Sequence, residues 1–434
     1  MEPSYKEQTR RLTPAQARLE AARCLSCENA PCTAACPAGV DAMRFIRAIR
    51  FRNERRALDL IRGSNILAGT CGTICPHENL CEGACNAHAL HDAPVAIGAL
   101  QRYASDAEER FPIPWAPTVT WTDHRVAVVG AGPAGLGAAA ELARSGVRPV
   151  VFEVRDRAGG MVNHGVPRFR CADEVVDRDV SFVKGLGVEI RLGSPADDLD
   201  ALLEDFDAVV LTGGLGQGKA AGLPGENLAG VHLGLDFIVT VNADLDTAPD
   251  RLTVGERVVI LGAGQVGMDL AEHALRLGAS SVEATSRRGT DAIRGAAPGE
   301  FDTALRHGVS FLTCAVPDEI EGAGGRVTAV RGHRVRWLPD GTMEDLPDST
   351  FRLPADTVLV AAGQKPEEAV LPLLAGLKTR RNRIVTDDTG QTSRDRVWAA
   401  GDGKDGGGGT VVRAVAEGRD AARAIVAQLE GGTK

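Results

Sequence analysis

The stretch that most restricts the fold of this chain is Arg125–Glu153, RVAVVGAGPAGLGAAAELARSGVRPVVFE. Val126–Val129 reads as a short buried strand. Gly130, Gly132 and Gly135 then let the backbone turn tightly, and Pro133 and Ala134 open a helix whose N-terminal N–H groups point at whatever the turn encloses. The spacing predicts a helix over Leu136–Ser145, a stop at Gly146 and a second strand over Pro149–Phe152. Glu153 ends that strand, where a carboxylate can accept a hydrogen bond from a ribose hydroxyl. Strand, glycine turn, helix, strand and acid in this order predict a dinucleotide site on a parallel sheet.

With 434 residues the chain is long enough for two or three domains. Its formal net charge is −9 and its pI about 5.6, so nothing in the overall charge attracts nucleic acid or an anionic membrane. No apolar run reaches the length of a bilayer span, and the first residues lack the apolar core of a signal peptide. The expectation is a soluble, cytoplasmic protein.

Eight of the ten cysteines lie between Cys24 and Cys85; Cys171 and Cys314 stand apart and read as small buried apolar residues. The first group is Cys24-x2-Cys27-x4-Cys32-x3-Cys36-Pro37 and the second is Cys71-x3-Cys75-Pro76 followed by Cys81-x3-Cys85. In a reducing compartment such clustering speaks for iron–sulfur ligation rather than disulfides. Short spacings on tight loops supply three thiolates to a cubane and a distant residue closes the fourth corner, so two groups of four suit two 4Fe–4S clusters. Zinc competes as a reading, but only Cys24 and Cys27 have the spacing of a zinc knuckle.

Ahead of the cysteines, TPAQARLEAAR over 13–23 predicts a helix with Thr13 as N-cap and Gln16 completing a capping box. Between the groups, Asp41–Gly63 predicts one or two helices carrying Arg44, Arg47, Arg50, Arg52, Arg55, Arg56 and Arg62 on a solvated basic face. A face that offsets cluster charge or docks an acidic partner is the alternative. The proline-rich stretch over 111–124 predicts a domain boundary.

After the first dinucleotide unit, GGMVNHGVPRFR over 159–170 places Gly160 and Gly165 in a loop able to lie against a ring system, with His164 a polar loop residue rather than a base. A second fingerprint follows at Arg257–Thr285, where Gly262, Gly264 and Gly267, with Gln265 and Val266 between them, recur in the same strand–turn–helix setting. No acid ends its second strand; Ser286, Arg287 and Arg288 follow instead. Guanidinium groups there pair with a 2′-phosphate, so this site is expected to prefer NADPH, NADH remaining the alternative. Strands are expected over Arg326–Trp337 and Ala355–Gly363, with a turn at Asp340-Gly341. VWAAGD at 397–402 puts Gly401 and Asp402 near a helix starting about Thr410 and Val411, suited to the ribityl and pyrophosphate of a flavin. The glycines at 406–409 read equally well as a mobile surface loop.

Taken together, the two cysteine groups, GAGPAG with Glu153, GGMVNHGVPRFR, GAGQVGMD with Arg287 and Arg288, and VWAAGD resemble the glutamate synthase small-subunit type of flavoprotein. That family includes the flavin and iron–sulfur part of dihydropyrimidine dehydrogenases. The chain is most similar to the bacterial dihydropyrimidine dehydrogenase flavin subunit in EAARCLSCENAPCTAACPAGVDAMRFIRAIRFRN, DAPVAIGALQRYASD and AAGQKP. The resemblance implies an α/β fold: an N-terminal α-helical iron–sulfur domain at 1–115, an FAD domain at 125–240 and 361–434, and a nicotinamide domain at 241–360 inserted into it. It implies that Cys24, Cys27, Cys32 and Cys85 hold one cluster, and Cys36, Cys75, Cys81 and Gln101 the other. By sequence alone Gln101 is a helix-surface amide, and Cys71 competes for the same corner.

The expected activity is hydride transfer from a nicotinamide to FAD with no catalytic acid–base side chain, followed by electron transfer through the clusters to a partner. That partner would be an FMN-containing or other catalytic subunit in a hetero-oligomer, or ferredoxin. Most consistent is uracil or thymine reduction; the alternatives are a glutamate synthase small subunit and a free-standing NADPH:ferredoxin oxidoreductase. Without a Cys-x-x-Cys beside either dinucleotide unit, disulfide reduction is not expected.

Overall fold

The computed structural model describes residues 11–110, 119–245, 247–296 and 298–431. Most of the boundary expected over 111–124 therefore lies outside the described residues. The described residues form two compact units, one within 11–163, 170–215 and 366–431, the other within 164–169 and 216–365.

The larger unit begins with helices. Thr13 caps Pro14–Ala22 with its Oγ1 accepting from the N–H of Gln16 at 3.3 Å, while Thr13 N–H donates to Gln16 Oε1 at 2.9 Å. Asp41–Gly63 resolves into two helices. Ala42–Arg50 is capped by Asp41, Glu54–Ser64 by Asn53, and Arg52 takes the left-handed conformation between them. Phe45, Ile46 and Ile49 face inward from the first and Leu58 and Ile61 from the second, as their three- and four-residue spacing requires. Ala68–Ile74 and Ile97–Asp106 complete the layer. Gly72 lets their backbones touch, because a Cβ there would fall 2.7 Å from the amide nitrogen of Arg102.

The same unit holds a five-stranded parallel sheet in the order Val397–Ala399, Ala208–Leu211, Arg125–Val129, Arg148–Phe152 and Glu189–Arg191. The helix Pro133–Arg144 covers one face and packs on Val411–Gly431. The run of alanines and glycines in Pro133–Arg144 is explained by that packing. A Cβ on Gly137 would sit 2.6 Å from the Val415 carbonyl oxygen, and one on Gly418 would sit 1.9 Å from that of Ala134.

The other unit is a second parallel sheet, ordered Val231–Leu233, Thr357–Val360, Arg257–Leu261, Ser281–Ser286 and Ser310–Thr313. Gln265–Arg276 packs on it through Met268, Leu270, Ala271 and Ala274. An antiparallel sheet of Ala315–Ala323, Arg326–Trp337 and Met343–Pro354 accompanies it. The predicted turn at Asp340-Gly341 forms, with Asp340 accepting from the N–H of Thr342 at 2.9 Å.

Candidate functional site

Where the first sheet meets Pro133–Arg144, five glycines are drawn into one cradle. Gly130 has φ +104°, and a Cβ on it would meet the Thr212 carbonyl oxygen at 2.8 Å. A Cβ on Gly135 would fall 1.9 Å from the Gly130 carbonyl oxygen, and one on Gly160 2.7 Å from the Cα of Gly132. Gly401, with φ +77°, closes against Ala134, whose Cβ lies 2.9 Å from where a Gly401 Cβ would be. Side chains are thus excluded from a surface at the helix N-terminus, where N–H groups are free for an anion. The residues fit the pyrophosphate of FAD.

Glu153 is 5% exposed, and its carboxylate accepts from the N–H groups of Ala131 at 2.7 Å and Arg155 at 3.0 Å. It braces the glycine turn as well as standing at the strand end expected for a ribose contact. Thr212 and Glu417 carry no motif, and local sequence reading passes over them. Thr212 Oγ1 donates to the Val129 carbonyl at 2.8 Å, and Glu417 accepts from Gly401 N–H at 3.0 Å and from Gly408 N–H. The glycines at 406–409 are pinned rather than free: Gly408 by Glu417, and Gly409 by Asp402, whose Oδ1 accepts at 2.8 Å. Thr410 precedes Val411 at the helix start, its Oγ1 accepting from the N–H of Arg413 at 3.4 Å.

The second fingerprint repeats this geometry within its own unit. Gly262 has φ +121°, and a Cβ on Gly267 would lie 2.1 Å from the Gly262 carbonyl oxygen. Gly264 precedes the helix that Gln265 and Val266 open. Arg287 and Arg288 are exposed just beyond Ser281–Ser286, the strand beside Arg257–Leu261. Their backbone is held by Trp337 Nε1, which donates to the Arg287 carbonyl at 2.6 Å, and by Ser286 Oγ, which accepts from Arg288 N–H at 3.1 Å. Gly165 falls in the 164–169 segment of this unit, where Asn242 Nδ2 donates to the carbonyls of His164 at 3.0 Å and Val166 at 2.9 Å. His164 itself ends the short helix Met161–His164.

The thiols gather in two groups. Cys24, Cys27, Cys32 and Cys85 line one hollow, together with Leu25 and Met43. Burial, reinforced by the thiols of Cys85 and Cys24, pushes Cys32 up to about 11. In the other group, the Cys75 thiol is raised by its hydrogen bond with Cys71 and by burial, with Cys81 and Cys36 adding to the effect; burial likewise raises Cys36 and Cys81. Thiolates crowded and desolvated in this way need a compensating cation, which an iron–sulfur cluster supplies. Among the described residues no three His, Cys, Asp or Glu side chains converge on a single-ion site. The donor set, four thiols to a group, fits clusters.

Gln101 is not the surface amide its helical position suggests: it is 8% exposed, and its Nε2 donates to the Ala68 carbonyl at 2.9 Å. Cys71 is buried in the facing helix. Cys171 is buried as expected, whereas Cys314 is partly exposed.

Arg62 departs furthest from expectation. Instead of joining a solvated basic face it is fully buried, with Nη1 2.6 Å from Asp179 Oδ1 and Nη2 2.6 Å from Glu108 Oε2. Asp179 also accepts from the N–H groups of Gly69 at 3.2 Å and Thr70 at 2.8 Å, which start the helix bearing Cys71.

Fold and site together define an FAD-dependent pyridine nucleotide oxidoreductase with an iron–sulfur domain in the same chain. Residues 124–418 match the family model described as pyridine nucleotide-disulphide oxidoreductase, and residues 2–112 match dihydropyrimidine dehydrogenase domain II, 4Fe-4S cluster. The chain belongs to this family of flavoproteins, in the branch typified by glutamate synthase small chains and dihydropyrimidine dehydrogenase flavin subunits. It is 35% identical to the glutamate synthase [NADPH] small chain of Halomonas elongata, over 96% of this chain and 92% of that protein. It is likewise 35% identical to the NAD-dependent dihydropyrimidine dehydrogenase subunit PreT of Escherichia coli K12, over 97% of each. Among solved structures, Mycobacterium tuberculosis FprA in complex with NADPH shares the fold, with a TM-score of 0.59 at 19% identity over 72% of this chain and 86% of that one. No helix among the described residues is long and apolar enough to cross a membrane.

Proposed function

We propose that this chain is the NAD(P)H-oxidising electron-input subunit of a larger enzyme. The observation that carries the reading is the joining, in one chain, of two glycine-turn cradles with two groups of four thiols. In it, residues 125–163, 170–215 and 366–431 serve FAD, 164–169 and 216–365 the nicotinamide nucleotide, a wider insert than the 241–360 expected from the sequence, and 1–115 two 4Fe–4S clusters. When bound, FAD takes two electrons from the nicotinamide and the clusters pass them on singly. The chain's own residues position and insulate. Gly130, Gly132, Gly135, Gly160 and Gly401 admit the flavin's pyrophosphate and ribityl; Gly262, Gly264 and Gly267 admit the pyrophosphate of the nicotinamide nucleotide. Cys24, Cys27, Cys32 and Cys85 hold one cluster, and Cys36, Cys75, Cys81 and Gln101 the other. Burial of Gln101, on a helix lying backbone to backbone with that of Cys71, supports the last assignment. The exposed guanidinium groups of Arg287 and Arg288 favour NADPH.

Of the two partner types, we favour an FMN-bearing subunit that reduces uracil or thymine, on the strength of Gln101. The equal identity to a glutamate synthase small chain keeps a glutaminase-bearing partner as the second reading. The test is anaerobic co-purification from native cells, followed by assay with NADPH or NADH and either uracil or 2-oxoglutarate plus glutamine. Uracil reduction supports the first reading and glutamate formation the second. FAD-loaded, iron-loaded protein that neither nucleotide bleaches would sink both.

A further inference from the structure

The helical layer around the first thiol group presents a surface that the packing of this chain does not use. Leu19 is 73% exposed, Leu25 40%, Phe51 67% and Leu90 67%. Large apolar side chains left this open together mark an interaction surface more often than chance scatter. They are tied to one neighbourhood. Leu25 lines the hollow of Cys24, Cys27, Cys32 and Cys85. The segment that follows Leu90 is clamped to the end of the Leu19 helix: Arg23 donates to the carbonyls of Ala93 at 2.8 Å and Pro94 at 2.9 Å, and Glu20 accepts from the N–H of Ala96 at 2.8 Å. Arg50 stands over the Phe51 ring at 6.0 Å.

Charge gives the partner's chemistry. Ala42–Arg50 turns Arg44, Arg47 and Arg50 outward, and Arg52 and Arg56 follow, all exposed. Among the described residues Arg47, Arg50, Arg52 and Arg56 have no ion-pair partner, in a chain whose net charge is −9. An unpaired cationic stripe set against itself across a two-fold axis repels, whereas the acidic face of a different protein matches it.

We propose that Leu19, Leu25, Phe51 and Leu90, flanked by Arg47, Arg50, Arg52 and Arg56, form the docking surface for an acidic redox protein that takes electrons from the Cys24, Cys27, Cys32 and Cys85 group. The arginines orient the acceptor, and the apolar side chains exclude water where the two redox centres approach. This rests on the electron-input reading.

The experiment uses the full-length, cofactor-loaded enzyme, with a plant-type 2Fe–2S ferredoxin as the acidic protein acceptor and ferricyanide as a small one. In Arg47→Glu/Arg52→Glu, neither residue of which lines the hollow of the four thiols, ferredoxin reduction by NADPH at low salt should fall about tenfold and lose most of its dependence on ionic strength. Phe51→Ser/Leu90→Ser should lower the same rate without altering that dependence. Both variants should keep parental flavin bleaching, iron content and ferricyanide turnover. Ferredoxin reduction unchanged in both variants overturns the proposal, as does a parent enzyme that reduces ferricyanide but not ferredoxin at any salt concentration. A parent that neither NADPH nor NADH bleaches refutes instead the electron-input reading beneath it.

Discussion

Replacing Asp179 by leucine tests how the cysteine-bearing helix Ala68–Ile74 is held. In the native chain Asp179 is fully buried, 2.6 Å from Arg62, and it also accepts the N–H groups of Gly69 and Thr70. Arg62 is equally buried; it also donates to the Ile66 carbonyl, and its guanidinium lies 4.4 Å from the Phe182 ring centroid. Asp179→Leu leaves that guanidinium with Glu108 as its remaining acid and leaves two N–H groups at a helix start without acceptors. Breaking a buried ion pair from one side costs about 3–5 kcal/mol. At about 2–4 °C per kcal/mol for a unit of this size, the melting temperature should fall by about 6–20 °C.

The double variant Arg62→Met/Asp179→Leu removes the stranded charge but not the stranded amides, each worth about 1–3 kcal/mol. It should therefore melt above Asp179→Leu and below the parent. Thermal scans at one rate, followed by circular dichroism and by release of flavin fluorescence, with iron counted before each, measure this. A single variant melting within about 2 °C of the parent, or a double variant showing the sum of the two singles, would refute the reasoning.

Arg287→Ala/Arg288→Ala removes two exposed guanidinium groups, each worth about 1–1.5 kcal/mol toward a 2′-phosphate. The rate constant for flavin reduction at limiting NADPH should drop about 30- to 150-fold while that for NADH stays within about twofold, by anaerobic stopped flow; equal losses with both nucleotides would remove these residues from the site. Gln101→Ala should perturb the electron paramagnetic resonance signal of one cluster and leave the other, whereas Cys71→Ala should leave both intact with full iron content; the opposite pattern reassigns the corner to Cys71. His333 lies between Asp318 at 3.0 Å and Asp345 at 3.1 Å, and the hydrogen bond to Asp318 raises its pKa above 6.5. Its imidazolium therefore adds to the stability of the antiparallel sheet below the unfolded pKa, and that contribution is lost as pH rises through the folded value. Proton magnetic resonance should find His333 titrating above 6.5 in the parent and closer to it in Asp318→Asn.

Both dinucleotide cradles were readable from the chain because the physics that builds them is local. A left-handed glycine at Gly130 or Gly262, and a helix that must start a few residues later, are conditions on one short segment. The same holds for Thr13 with Gln16 and for the turn at Asp340. The helix pair in Asp41–Gly63 was equally legible from its apolar period. Its charges were not: Arg47 and Arg62 look alike in sequence, yet one is exposed and the other fully buried.

What separates them is Asp179, 117 positions away from Arg62, which no periodicity can pair with it. Glu417 and Thr212 carry no local signal for the same reason, since they serve the first cradle from distant segments. Return of Val397–Ala399 to the edge of a sheet begun at Arg125–Val129 is likewise a tertiary outcome. The chain by itself determined where backbone must turn, where helices start and which thiols are spaced for metal, because each depends on neighbouring residues alone. Only the folded structure decided which charges are desolvated, which amide is buried beside the second thiol group and which apolar side chains stay exposed. Burial and long-range pairing belong to the assembled core, where the cost of an unpartnered charge selects one arrangement.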